Sequence, residues 1–276
     1  MSLSPRAVLL DLDGVLYVED EPVPGAAQAV ERMRAAGLTL RFVTNTTSKS
    51  RAATLEKLSA LGFDVGNEEL ITPALLALQH CRERGHRRVL LLMSDEVKAD
   101  FAELEEAEHE PDAVIVGDLG ERFAYDVLNR AFRELLAGAE LIALQKNRYW
   151  LREDGLCLDV GPFVAALEYA AACKAHVVGK PAPAFFGQVL DGAGAAPEQA
   201  VMVGDDIESD IGGALGAGLD GVLVRTGKYR EAAVLASGIE PTATVDSIAD
   251  VPALLVSSSP PPEWVTPPDG AQRPSP

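Results

Sequence analysis

Two short acidic runs carry the first chemical signal in the chain. Asp11-Leu12-Asp13-Gly14 closes an apolar stretch that begins at Ala7, and Gly204-Asp205-Asp206-Ile207-Glu208-Ser209-Asp210 closes another, Val201–Val203. Carboxylates drawn from two separate strand ends make a hard, all-oxygen donor set, which suits Mg2+ over zinc or copper. Thr44, in Thr44-Asn45-Thr46, offers a hydroxyl. The amides at the start of the helix expected after it offer N–H donors, and together these suit phosphate oxygens. Lys180 is a point charge able to neutralise a developing phosphoryl charge and a nearby carboxylate. Phosphoryl transfer asks for positioning and charge neutralisation more than for elaborate bond chemistry. On that chemistry Asp11 is the candidate nucleophile, forming an aspartyl-phosphate. Asp13 is the candidate acid, protonating the leaving oxygen and later activating water. Gly14 lets the chain turn sharply beside them without a side chain intruding.

These residues need elements to bring them together, and the apolar pattern supplies them. Ala7–Leu12, Thr39–Val43, Val89–Met93, Ala113–Val116, Leu141–Leu144, Ala175–Val178, Val201–Val203 and Val222–Val224 read as strands. Helical stretches alternate with them: Gly25–Ala36 stopping at Gly37, a second running up to Gly62, and one ending over Glu168–Cys173. Nearly all-apolar strands alternating with helices predict a parallel sheet covered on both faces. Open parallel sheets hold their sites beyond the carboxyl ends of the strands. Asp11 with Asp13, Thr44 with Asn45, Lys180, and Asp205 with Asp206 and Asp210 all fall at such ends, where one crevice can collect them.

Composition narrows the field. The chain has 276 residues, 47% of them hydrophobic, and a formal net charge of −18. That length predicts one large or two modest domains. The acidic field repels nucleic-acid phosphates and argues against a nucleic-acid partner. An anionic small substrate therefore has to be attracted locally, by a metal or a few placed cations. Three cysteines fit neither a disulfide framework nor a cysteine-rich zinc site, so they read as small buried hydrophobes. No stretch approaches the length of a membrane span. The first residues run into a strand-like segment rather than a signal-peptide core, and the expected location is cytoplasmic. Residues 257–276, rich in proline and poor in apolar side chains, read as a disordered tail.

Four ordered motifs, Asp11-Leu12-Asp13-Gly14-Val15, Thr44-Asn45, Lys180-Pro181, and Gly204-Asp205 with Asp210, resemble those of the haloacid-dehalogenase-like phosphohydrolase superfamily. The long interval between Thr44 and Lys180, against the short one between Lys180 and Asp205, resembles the subfamily with a mixed α/β cap inserted there. Phe42-Val43-Thr44-Asn45-Thr46-Thr47, Gly161-Pro162-Phe163-Val164 and Val177-Val178-Gly179-Lys180-Pro181 are similar to the hydrolase-domain proteins grouped with phospholysine phosphohistidine inorganic pyrophosphate phosphatase. The resemblance implies a doubly wound, parallel-sheet Rossmann-like core of residues 1–76 and 176–256 and an α/β cap of 77–175. It implies Asp11 as nucleophile and Asp13 as acid/base. It implies Mg2+ held by Asp11, Asp205 and the backbone carbonyl of Asp13, and phosphate held by Thr44, Asn45, Thr46 and Lys180. Asp210 would orient Lys180 or a water on the metal, while the roles of Asp206 and Asp210 stay unseparated. The implied activity is hydrolysis of a small phosphorylated substrate. A phosphomutase and a non-catalytic phosphate-binding or phospho-acceptor module remain alternatives, and the cap is a surface through which copies of the chain can associate.

Several other features carry competing readings. Lys146-Asn147-Arg148-Tyr149-Trp150 follows a cap strand and reads equally as a surface loop or as a substrate-selecting loop, with Asn147 and Arg148 as binding residues. The acid-rich run Asp100 to Glu110 reads as a solvated helix face. Glu208 reads equally as an exposed acid favouring a helix dipole. Gly216-Ala217-Gly218-Leu219-Asp220-Gly221 precedes a strand instead of following one, the reverse of the dinucleotide-binding context. Gly227-Lys228 lacks the spacing of a P-loop. Pro22 and Pro24 are expected to shape a hairpin-like flap after Asp13, near Tyr17. The four histidines lie far apart in sequence and read as surface or structural residues.

Overall fold

The computed structural model describes residues 3–152 and 155–255; the segment 257–276, expected to be a disordered tail, lies outside them. Two parallel sheets organise the chain. The larger has six strands in the order Ala243–Val245, Asp220–Val224, Ala200–Gly204, Ala7–Asp11, Thr39–Val43 and Leu70–Ile71. The smaller has five, in the order His176–Val177, Glu140–Ala143, Ala113–Val116, Arg88–Leu92 and Glu105–Glu106. Every pairing within these two sheets is parallel, as continuous apolar strands between helices demand.

Strand alternation assigns each side chain to a face. Ala7 and Leu9 enter one apolar cluster, while Val8 and Leu10 enter another. In the smaller sheet Val89, Leu91 and Ile115 join the cluster that also holds Leu9 and Met202 of the larger sheet. Leu90, Leu92, Val114 and Val116 pack instead with Ala131, Leu135, Val164 and Leu167 of the helices Tyr125–Leu136 and Val160–Ala171. Each fully buried Leu, Ile or Val contributes roughly 1.5–3 kcal/mol, so both faces of both sheets are held firmly.

Two expectations are corrected here. The acid-rich run is no helix: Ala99–Phe101 is a single 3-10 turn and Glu105–Glu106 is an edge strand on Arg88–Val89. The run lacks a helical apolar period, and cations hold it to the surface, with Glu103 on Arg82, Glu106 on Lys98 and Glu105 on Arg88. The strand that leads to Lys180 pairs, through His176–Val177, with Ile142–Ala143 of the smaller sheet rather than with the larger one.

Three strand ends of the larger sheet and one incoming segment therefore build the crevice. The chain leaves the Ala7–Asp11 strand towards Thr39–Val43 on one side and returns as Ala200–Gly204 on the other. That reversal of strand order opens a crevice at the carboxyl ends of the flanking strands. Asp11, Thr44 and Asp205 lie at those ends.

Candidate active site

The Ala7–Asp11 strand delivers Asp11 to the crevice, 7% exposed, in register with Val43. Beyond it the chain turns at once: Gly14 has φ +83°, and Gly14 N donates to Tyr17 O at 2.7 Å. A side chain at Gly14 would both strain this backbone and put its Cβ 1.8 Å from Asp205 Oδ2. The expected flap follows as a two-stranded hairpin, Tyr17–Val18 with Glu21–Pro22. Asp13 is exposed on the turn. Desolvation on its inner side raises its carboxyl above the usual range, against the pull of Lys228 and Lys57.

Asp205 and Asp210 come from a strand end and the wide helical turn that follows it. Ile211 N reaches back five residues to Asp206 O at 3.3 Å, a π-type turn of the kind that recurs at functional sites. Asp206 caps this turn, its Oδ1 accepting from Glu208 N and Ser209 N at 3.0 Å each. That separates it from Asp210, which is fully buried and lies with Oδ1 2.7 Å from Lys180 Nζ. Glu208 is exposed. Gly204 makes room for this arrangement, since a Cβ there would sit 2.3–2.5 Å from the Asp210 side chain.

Lys180, 2% exposed, bridges the two halves: its Nζ is 2.6 Å from Asp11 Oδ1 and 2.7 Å from Asp210 Oδ1. Asn45 fixes its backbone, donating Nδ2 to Lys180 O and accepting from Lys180 N, both at 2.8 Å. Both polar ends of the Asn45 side chain are thus engaged with the Lys180 backbone. Thr44, buried, donates to Thr46 Oγ1 and accepts from Thr46 N, each at 3.0 Å. The helix after it starts only at Arg51, and its first amides are taken: Arg51 N donates to the Asp100 carboxylate and Ser50 N to Glu96. The amides expected to meet phosphate at that helix start are therefore already occupied.

Asp11, Asp205 and Asp210 each offer a carboxylate oxygen within 4.8 Å of the others. Burial first, then the Asp11 charge, raises both Asp205 and Asp210 above the usual carboxylate range. Burial lowers the Lys180 pKa, but Asp11 and Asp210 outweigh it and raise the value overall. Asp205 Oδ2 accepts from Lys228 N at 2.7 Å, while Asp205 Oδ1 is buried without a hydrogen-bond partner. Ionising all three carboxylates beside one ammonium would leave a buried excess of negative charge, which a divalent cation would neutralise. An oxygen-only donor set with one oxygen unspent fits a hard cation such as Mg2+.

Lys228 is the residue that motif reading passes over. It lies in the field of Asp11, Asp205, Asp206 and Asp210, which raises its pKa against partial desolvation. Gly227 packs its backbone against Gly14 and Asp205, and Thr226 Oγ1 donates to Gly14 O. The signal available in sequence was only position, a polar loop directly after the Asp220–Val224 strand. Asn147 and Arg148 make their contacts within their own loop and the helix start after it. The Asn147 side chain bonds Asp159, Gly161 N donates to Asn147 O at 2.9 Å, and the Arg148 guanidinium lies 5.6 Å from the Tyr149 ring centroid. Among the described residues, neither is hydrogen-bonded or ion-paired to Asp11, Thr44, Lys180 or Asp205. Their loop nevertheless begins beside the lysine segment, because Gly179 packs against Leu144 O and Gln145.

A crevice at a reversal of strand order, lined by an aspartate pair, a threonine, a buried lysine and a second acidic run, defines a hydrolase class. Residues 8–106 match the family profile described as haloacid dehalogenase-like hydrolase, and residues 177–251 match a second profile of the same group. The chain belongs to the haloacid dehalogenase-like hydrolases. It is 50% identical over 225 residues to human haloacid dehalogenase-like hydrolase domain-containing protein 2, covering 82% of this chain and 86% of that one. It is 41% identical over 257 residues to human phospholysine phosphohistidine inorganic pyrophosphate phosphatase, covering 91% and 94%. Among solved structures, the p-nitrophenyl phosphatase from Archaeoglobus fulgidus superposes with a TM-score of 0.85 at 25% identity, over 91% of this chain and 100% of that one. Among the described residues no helix is long and apolar enough to cross a membrane.

Proposed function

We propose that this chain is a Mg2+-dependent phosphatase that hydrolyses a small phosphate monoester or phosphoanhydride through a phosphorylated Asp11. In this reading residues 77–175 act as a cap over a core of 1–76 and 176–256. The observation that carries the reading is the convergence of three buried carboxylates at the strand ends, two of which, Asp11 and Asp210, Lys180 bridges. The phosphatase names of the relatives at 41% identity and at TM-score 0.85 support the same class.

Asp11, Asp205 and the Asp13 backbone carbonyl would hold the cation, and Mg2+ when bound neutralises charge on the phosphoryl oxygens and on the carboxylates around it. Lys180 holds Asp11 Oδ1, which leaves Oδ2 to attack phosphorus. As the Asp11–phosphorus bond forms and the leaving bond breaks, Asp13 gives its proton to the departing oxygen. Desolvation raises its pKa, the direction that favours carrying this proton. Water then attacks the phosphoryl group, Asp13 takes the water's proton, and Asp11 is released with inorganic phosphate. Thr46 Oγ1, already accepting from Thr44, keeps its own proton to donate to a phosphoryl oxygen. Lys180 balances the charge that develops. The reading is tested with the full chain on p-nitrophenyl phosphate. EDTA should stop turnover and Mg2+ restore it. Turnover that persists in excess EDTA would remove the metal, and a complete lack of turnover across a panel of phosphate esters, pyrophosphate and phosphoramidates would remove the phosphatase.

A further inference from the structure

Three of the chain's four histidines, distant in sequence, converge on one carboxylate at the far end of the smaller sheet. His80 lies in the helix Pro73–Arg84, and His86 follows the Gly85 cap of that helix. Glu140 opens the Glu140–Ala143 strand, and His176 opens the neighbouring one, paired with Ile142. His80 Nε2 is 3.0 Å from Glu140 Oε1, and His86 Nε2 is 2.7 Å from Glu140 Oε2, where Arg84 Nε also approaches at 3.4 Å. The His80 and His176 rings stack with centroids 3.8 Å apart. His176 Nε2 is buried and has no hydrogen-bond partner. One ligand atom from each of His80, Glu140 and His176 lies within 4.8 Å of the other two.

Packing alone leaves this arrangement costly. A buried polar nitrogen without a partner costs about 1–3 kcal/mol, and buried polar groups are ordinarily satisfied. We infer that His80, Glu140 and His176 form a binding site for a borderline divalent cation, Zn2+ by its donor chemistry, separate from the oxygen-lined group around Asp11. Two imidazole nitrogens and one carboxylate oxygen, with a fourth position for water, are a donor set that zinc takes and hard Mg2+ does not favour. His86 and Arg84 hold the second oxygen of Glu140, the outer support that ligating carboxylates usually have. The charge states suit it as well. Bonds from His86 and His80 outweigh burial and keep Glu140 ionised down to about 2, while burial and then the neighbouring His80 lower the His176 pKa, the direction that favours a ligating imidazole.

Loading the site has a definite cost. Lone pairs of two stacked rings run parallel and do not converge, so His176 must turn out of the stack about its side-chain torsions. The ion then takes the place of the proton between His80 Nε2 and Glu140, and His80 becomes the neutral tautomer that carries its proton on Nδ1. His176 precedes Lys180 by four residues, a separation of at most about 13 Å. An ion here therefore acts by tying the Pro73–Arg84 helix to two strands, a gain in stability rather than a part in phosphate chemistry.

The experiment uses the full chain carrying Asp205→Asn, which removes a ligand from the other acidic group, stripped with chelator and titrated with Zn2+ against a chromophoric competitor. One equivalent should bind, and His80→Ala or His176→Ala should weaken binding by at least about tenfold. Ring C–H signals followed by NMR in the chain with all four histidines intact supply a readout that does not depend on those variants folding. Signals of His80, His86 and His176 should move with Zn2+, while that of exposed His109, paired only loosely with Glu134 at 3.7 Å, stays. Absence of a stoichiometric site, unchanged affinity in folded histidine variants, or movement confined to His109 would each overturn the assignment.

Discussion

Replacing Asp205 with Asn should make the metal-free protein more stable while removing its response to Mg2+. The Asp205 carboxyl is 2% exposed, and only one of its oxygens has a hydrogen-bond donor. Burial, together with Asp11 and Asp210, pushes it up to about 8. Each unit corresponds to about 1.4 kcal/mol, so near neutral pH an uncharged isostere relieves on the order of 2–4 kcal/mol. Asn has nearly the same volume, its oxygen keeps the bond from Lys228 N, and its amide can donate towards the neighbouring carboxylates. The sign with pH follows from linkage. An acid whose folded value is raised favours folding below its unfolded value, and that contribution is lost as pH climbs towards the folded value. The variant's advantage should therefore be small near pH 4 and widest near pH 8. At about 2–4 °C per kcal/mol for a chain of this size, the widest gap is roughly 5–10 °C. Thermal melts of both proteins in EDTA across that range measure it, and added Mg2+ should then raise the wild type alone. A variant that melts below the wild type in EDTA at pH 8, or equal stabilisation of both by Mg2+, would refute the reasoning.

Asp11→Asn should retain the fold and lose turnover by several orders of magnitude, because an amide lacks the nucleophilic charge; more than about a tenth of wild-type kcat, with unchanged circular dichroism, sinks the nucleophile role. Gly14→Ala should cost roughly 2–4 kcal/mol and depress activity, since φ is +83° and the new Cβ meets Asp205 Oδ2; denaturant melts with an unchanged midpoint would show that the turn relaxes freely. Asn45→Ala removes both bonds to the Lys180 backbone and should lower Tm by a few degrees, at about 1–3 kcal/mol, with a fall in kcat larger than any rise in KM. An effect confined to KM would mean that Asn45 serves substrate binding rather than the placement of Lys180.

Much of the architecture was legible in the chain because burial on both faces leaves continuous apolar strands, and because strand ends are where polar residues can emerge. The strands at Thr39–Val43 and Ala113–Val116 were readable to the residue. The Asp11, Thr44 and Asp205 strand ends were readable from the polar residues that interrupt those runs. The acid-rich run around Glu105 was not, since a two-residue edge strand has no period to read and is held by cations from elsewhere. Local pattern says what a segment prefers; it does not say which distant side chain it meets. Thus Asp206 and Asp210, four residues apart and chemically alike, became a helix cap and the partner of Lys180 only once the wide turn after Gly204 set their directions. Asn45 was expected at phosphate and meets the Lys180 backbone, because the lysine arrives from the smaller sheet and needs an anchor across the crevice. The sequence by itself determined the strand-end carboxylates and their oxygen-only chemistry. The tertiary structure alone decided which of them share one buried volume, how their charges shift one another, and that three scattered histidines surround Glu140, because contacts between residues far apart in the chain leave no local pattern to read.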